Sequence, residues 1–151
     1  MSGGTLIALA ADEIVMGEFS VLGPIDPQIA GFPAASIARV PKIKPIEQVF
    51  DLTLVLADVS EKALEQVKRG AIELLTPQME ESAARALAEK LAGGHWTHGY
   101  ALTPEEAQSL GLPVRVAMPN AVLDLMKLYP QPVQQSGVDF LPIDLPRRRQ
   151  T

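Results

Sequence analysis

An α/β layered fold is what this 151-residue sequence predicts, and three observations predict it. Short buried-type runs, Ile14-Val15-Met16 and Val114-Arg115-Val116, alternate with stretches patterned as helices. Between 45 and 75 apolar residues recur at three- and four-residue steps: Ile46, Val49, Phe50, Val59, Ala63, Val67 and Ile72. Thr103-Pro104-Glu105-Glu106 combines a helix cap, a first-turn proline and a capping-box glutamate. The length suits one domain burying roughly 70% of its unfolded surface.

Composition excludes several classes. Hydrophobic content of 47% with 21% charge is that of a globular chain, not a disordered one. A net charge of −5 argues against a general nucleic-acid binder, which carries a basic surface. With no cysteine there are no disulfides, no thiol nucleophile and no cysteine-based zinc site. No apolar run approaches the ~20 residues that span a bilayer, and no signal peptide is visible.

Residues 1–16 organise the rest. Ser2-Gly3-Gly4 reads as a tight turn in which two glycines allow sharp bending and close approach. Residues 6–11 are good helix formers, Asp12-Glu13 breaks the run, and Ile14-Val15-Met16 is a buried strand. A serine on a turn before a helix exposes its hydroxyl beside backbone amides, as a nucleophile with an oxyanion site requires. The same serine also fits a plain helix cap.

Residues 18–22 read as a short strand, and Pro24, Pro27, Pro33 and Pro41 mark an irregular connection with one or two helical turns at 34–40. Residues 41–45 form a stiff proline-bounded segment, with Pro45 opening a long helix over 45–75. Between Leu52 and Val59 that helix is apolar nearly all round, which predicts burial on two sides and a homo-oligomer. A second helix over 77–91 ends at Gly93-Gly94, 95–100 is extended, and helices follow at 104–110 and 120–128. Residues 1–130 form the domain, and 131–151, rich in Pro and Gln, a flexible tail.

The string Ser2-Gly3-Gly4-Thr5-Leu6-Ile7-Ala8-Leu9-Ala10-Ala11-Asp12-Glu13-Ile14-Val15-Met16, followed by Leu22-Gly23-Pro24-Ile25-Asp26-Pro27-Gln28, resembles the serine dehydrogenase proteinase family. That family is a branch of the superfamily holding the Clp protease subunit, signal peptide peptidase A and crotonase. Leu56-Ala57-Asp58-Val59, Trp96-Thr97-His98, and Pro104-Glu105-Glu106-Ala107 with Leu110-Gly111-Leu112-Pro113-Val114 agree with it. The resemblance runs from Ser2 to about Pro130. It implies a Clp/crotonase-like fold whose first strands precede this chain, so the sequence is expected to be the C-terminal part of a longer protein. It also implies an N-terminal membrane segment in that protein, this chain itself being soluble.

By this resemblance Ser2 is the nucleophile and the Gly3 backbone N–H one oxyanion donor, the other donor lying in the preceding segment. The Clp histidine position carries Asp26, and its aspartate position falls on Gly99, so that triad is not present as such. Signal peptide peptidase A pairs its serine with a lysine some forty to fifty residues on, where Lys42 and Lys44 stand. Lys44 is favoured as the base: burial and the positive end of a helix opening at Pro45 would both disfavour its ammonium. Solvated loop lysines are the plainer reading of both. His98 pairs with Asp26 in a reordered triad, or is structural.

The resulting expectation is a serine endopeptidase of Ser–Lys type, inactive as this piece, hydrolysing peptide bonds of a peptide or protein substrate without a cofactor. The alternatives are a silent interaction module of the same fold and a crotonase-type acyl-coenzyme A enzyme. Two histidines and no cysteine make a catalytic zinc site a poor fit.

Overall fold

The structure is a computed structural model that describes residues 2–129. Its order is helix α1 (Ser2–Leu9), strand β1 (Ile14–Met16), strands β2 (Gln28–Ile29) and β3 (Phe32–Pro33), helix α2 (Ala34–Ile43), and a 3-10 turn (Ile46–Gln48). Helices α3 (Asp51–Leu75), α4 (Glu81–Ala92) and α5 (Pro104–Ser109), strand β4 (Val114–Val116) and helix α6 (Asn120–Lys127) follow. Helices with a small parallel sheet are consistent with an α/β fold. Residues 2–118 form one compact unit, and α6 belongs to a second, beginning at Pro119. The expected tail at 131–151 lies outside the described residues.

β1 and β4 pair in parallel with Ile14 opposite Val114 and Met16 opposite Val116. The Arg115 guanidinium clamps Glu13 with two bonds, at 2.6 and 3.0 Å, fixing that register from the side. The core gathers Leu9, Ile14, Met16, Ile25, Leu75, Leu87, Leu91 and Leu102. In α4 the buried residues Ala84, Leu87, Ala88, Leu91 and Ala92 recur at three and one, the stripe of a helix buried on one face. In α3 the buried face runs through Ala57, Ser60, Ala71 and Leu75. α3 packs against α1, α2 and α4. Gln78 donates to the carbonyls of Leu9 (3.2 Å) and Ala11 (2.9 Å), holding the end of α1.

Five expectations are corrected. The opening serine is not on a turn ahead of a helix: α1 begins at Ser2 and includes both glycines. Residues 18–22 are not a strand; Ser20 N–H closes a turn on Gly17 O at 3.0 Å, and only Leu22 bridges, to Leu102. Residues 41–45 do not form an extended segment. α2 runs through Pro41 to Ile43, because Pro41 removes one helical bond while Lys44 N–H still reaches Val40 O at 3.2 Å. The long helix therefore begins at Asp51 rather than at Pro45, after a separate 3-10 turn. Residues 95–100 turn rather than extend, with Tyr100 N–H on Thr97 O at 2.9 Å.

The 28–33 hairpin was unforeseen. Its two-residue turn places Ala30 at φ 51° and Gly31 at φ 84°, the left-handed pair that a tight hairpin needs, with glycine supplying only one of them. The all-round apolar stretch of α3 buries Ala57, while Leu52 (68%), Val55 (60%) and Val59 (42%) face outward. Among the described residues no helix is long and apolar enough to cross a membrane.

Leu91 is 1% exposed, and its carbonyl accepts the Ile25 N–H at 3.0 Å. Leu91→Ala is expected to lower stability by about 2–5 kcal/mol, measured by urea unfolding.

Candidate active site

The described part of the site is built on Asp26, a carboxylate 1% exposed. A buried carboxylate is stable only with donors on its oxygens. His98 Nδ1 lies 2.8 Å from Oδ1, and Gln28 Nε2 donates to Oδ2 at 2.6 Å. As a carboxylate Asp26 can only accept, so the neutral His98 ring carries its proton on Nδ1 and leaves Nε2 as a bare acceptor. The His98 side chain is 37% exposed, so the ring reaches solvent while its other edge meets Asp26. This is the orientation a general base needs.

Backbone ties place Asp26. Leu22 and Leu102 exchange bonds at 3.0 and 2.9 Å, bringing the chain before Asp26 beside the chain after His98. Ile25 N–H is held by Leu91 O, and Ala34 N–H by Pro27 O at 2.9 Å. Gly23 N–H donates to the buried Thr5 hydroxyl at 3.0 Å. Thr5 lies three residues after Ser2 in α1, so one bond links the helix opened by Ser2 to the segment that carries Asp26.

His98 is held by a second set of contacts. Trp96 and Tyr100 stack with ring centroids 4.9 Å apart and planes 3° from parallel, and Lys90 Nζ lies 5.5 Å from the Trp96 centroid. The Tyr100 hydroxyl donates to Glu106 at 2.6 Å. Glu106 also accepts the Thr103 N–H at 3.1 Å and returns its own N–H to the Thr103 hydroxyl at 3.2 Å, the expected capping box. Upstream, Gly94 has φ +79° and its missing side chain leaves room for Ala35 of α2. The loop bearing His98 is thus pinned at both ends. Sequence reading missed Gln28 and Tyr100; the one available signal was their spacing of two residues from Asp26 and from His98.

The lysines stand differently. Lys44 is exposed and caps the C-terminal end of α2. Of the two features expected to favour it as a base, burial is absent, and the helix at Pro45 is a single 3-10 turn rather than the long helix. Lys42 pairs with Glu61 at 2.8 Å on the surface. His95 is exposed. Gly3 lies in the first turn of α1. Among the described residues no group of three His, Asp or Glu is placed to hold a metal ion.

The profile of ClpP-like SDH-type serine proteinases matches residues 1–151. Two uncharacterized proteins of Methanocaldococcus jannaschii are similar to the chain. One is 49% identical over 143 residues, covering 94% of this chain and 50% of that protein. The other is 45% identical over 144 residues, covering 95% and 49%. The chain spans about half the length of the curated relatives it matches. No solved structure matches it.

The Tyr100–Glu106 bond has a pH signature. Donation by the Tyr100 hydroxyl, then by the Thr103 amide, lowers the Glu106 carboxyl below its ordinary 4.5. The same bond raises the Tyr100 phenol above 10.0. Glu106 stabilises the fold above pH 4.5, and that contribution is lost as pH falls through its lowered value; Tyr100 stabilises it below pH 10.0, and that contribution is lost as pH rises through its raised value. Tyr100→Phe is expected to weaken both limbs of the stability–pH curve, read as melting temperature from pH 3 to pH 11 (roughly the span of the two ordinary values).

Proposed function

The chain belongs to the ClpP-like SDH-type serine proteinase family, and on that premise we propose that it carries a Ser2–His98–Asp26 peptidase centre. The observation that carries this reading is the 2.8 Å contact between the His98 ring and a buried carboxylate. A histidine whose Nδ1 is held by a buried aspartate presents Nε2 as a base in the arrangement that activates serine hydroxyls on several unrelated folds.

In this mechanism the Ser2 hydroxyl oxygen attacks the scissile carbonyl carbon, and its proton passes to His98 Nε2. Asp26 accepts the Nδ1–H and stabilises the imidazolium. The tetrahedral oxyanion takes a hydrogen bond from the Gly3 backbone N–H, strengthened by the N-terminal end of α1. When the intermediate collapses, the amine leaves with the proton from His98 and an ester to Ser2 remains. Water, losing a proton to His98, then attacks that ester, and the Ser2 oxygen leaves with that proton as the acid is freed. The substrate class is a peptide or protein.

His98 is preferred to Lys44 on physical grounds. A lysine acts as a base only when its surroundings disfavour the ammonium. Lys44 is exposed at a helix C-terminus, where the backbone dipole favours a positive charge. In the full-length protein a fluorophosphonate is expected to label Ser2, and Ser2→Ala to abolish both labelling and peptide hydrolysis. His98→Ala and Asp26→Asn are expected to lower kcat by about 10⁴-fold, and Lys44→Ala to leave it within about twofold, a change of under 0.5 kcal/mol in barrier. Activity surviving His98→Ala but lost in Lys44→Ala would replace the histidine by the lysine. Labelling absent from the native protein would favour a silent interaction module.

The outward Leu52, Val55 and Val59 of α3 support a second part of the reading, that copies of the chain associate. Sedimentation at tens of micromolar (about the range of moderate oligomer affinities) is expected to show a species larger than a monomer, shifted toward monomer by Val55→Glu.

A further inference from the structure

We infer that Gln28 is a positioning residue for this centre, anchoring Asp26 so that its other oxygen faces His98. This inference rests on the Ser2–His98–Asp26 reading. A carboxylate turns broadly about its last torsion, so one hydrogen bond to Oδ1 does not by itself fix its plane. The Gln28 amide grips Oδ2 at 2.6 Å while His98 Nδ1 meets Oδ1 at 2.8 Å. Among the described residues no other side chain is bonded to either oxygen.

Gln28 is itself held in place. It lies in β2, paired with Pro33 of β3, and the Pro27 carbonyl beside it accepts the Ala34 N–H at the start of α2. The amide is therefore presented by a closed hairpin rather than by a free loop. Its neutrality matters as well. A lysine or arginine at this place would satisfy Oδ2 but would also cancel the charge that stabilises the His98 imidazolium. An amide orients the carboxylate and leaves its full charge to the histidine.

The effect is expected in kcat and in the histidine's tautomer, not in substrate affinity. With full-length protein, Gln28→Leu and the equally long Gln28→Glu are expected to lower kcat for a peptide substrate about tenfold or more, within the roughly hundredfold that misplacing a catalytic group costs. KM is expected to stay within about twofold, since the role given to Gln28 is on Asp26 and not on substrate binding. In ¹⁵N-histidine spectra the native protein is expected to show mainly the Nδ1–H form of His98 and both variants a mixture of tautomers, a change that general loosening far from the ring does not produce.

If Gln28→Leu is folded and retains both native kcat and native tautomer while His98→Ala and Asp26→Asn are inactive, the role given to Gln28 is overturned and the centre stands. If His98→Ala keeps full activity, the centre itself falls and this inference with it. A measurement on the native protein decides the matter should the variants not fold. One Gln28 side-chain amide proton is expected to exchange with solvent at least about tenfold more slowly than a free amide; exchange at the free rate would overturn the inference.

Discussion

A carboxylate taken out of water must find donors or lose its charge, and Asp26 is almost wholly out of water. That demand reaches through the molecule. One oxygen draws the loop bearing His98, the other the hairpin bearing Gln28. The backbone around Asp26 is tied to α1 through Thr5, to α4 through Leu91 and to the approach of α5 through Leu102. A small set of bonds around one buried side chain therefore ties α1, α4 and the approach of α5 to the same short segment.

The parts legible in the sequence are those whose signals are local. The capping box at Thr103 and Glu106, the strand Ile14–Met16 and the strand Val114–Val116 each stand in a few contiguous residues, and each is found where those residues place it. The failures share a cause. The sequence places Pro41 in a stiff segment outside any helix, yet α2, in which Ile37 and Ala38 are buried and which packs on α3, runs through it. Tertiary packing outweighed a local preference of about 3 kcal/mol. The apolar run ending at Leu22 looked like a strand, but Phe19 is 91% exposed and only one residue of it finds a strand-like partner.

The site was legible in its residues and not in its geometry. Asp26 and His98 were both visible as candidates, and their pairing was one of two open readings. They are 72 residues apart, and no spacing rule reaches that far. Lys44 was favoured because a helix was expected to open at Pro45. Displacing that start to Asp51 reverses the sign of the dipole argument, since Lys44 then follows a helix end instead of preceding a helix beginning. Gln28 carried no signal beyond its spacing of two residues from Asp26. Its role appears only when a hairpin brings its amide to the same carboxylate.

The register of the parallel strand pair has a consequence for how the protein is made. β1 has no hydrogen-bonding strand among the described residues until β4 arrives, and Glu13 waits 102 residues for Arg115. Synthesis at about 5–20 residues per second leaves that partner missing for roughly 5 to 20 s on the ribosome. During this interval the edge of β1 that β4 covers in the finished fold stays open. Local helices such as α3 and α4 form long before then. Closure of this strand pair is thus a late, long-range event of the kind that slows folding.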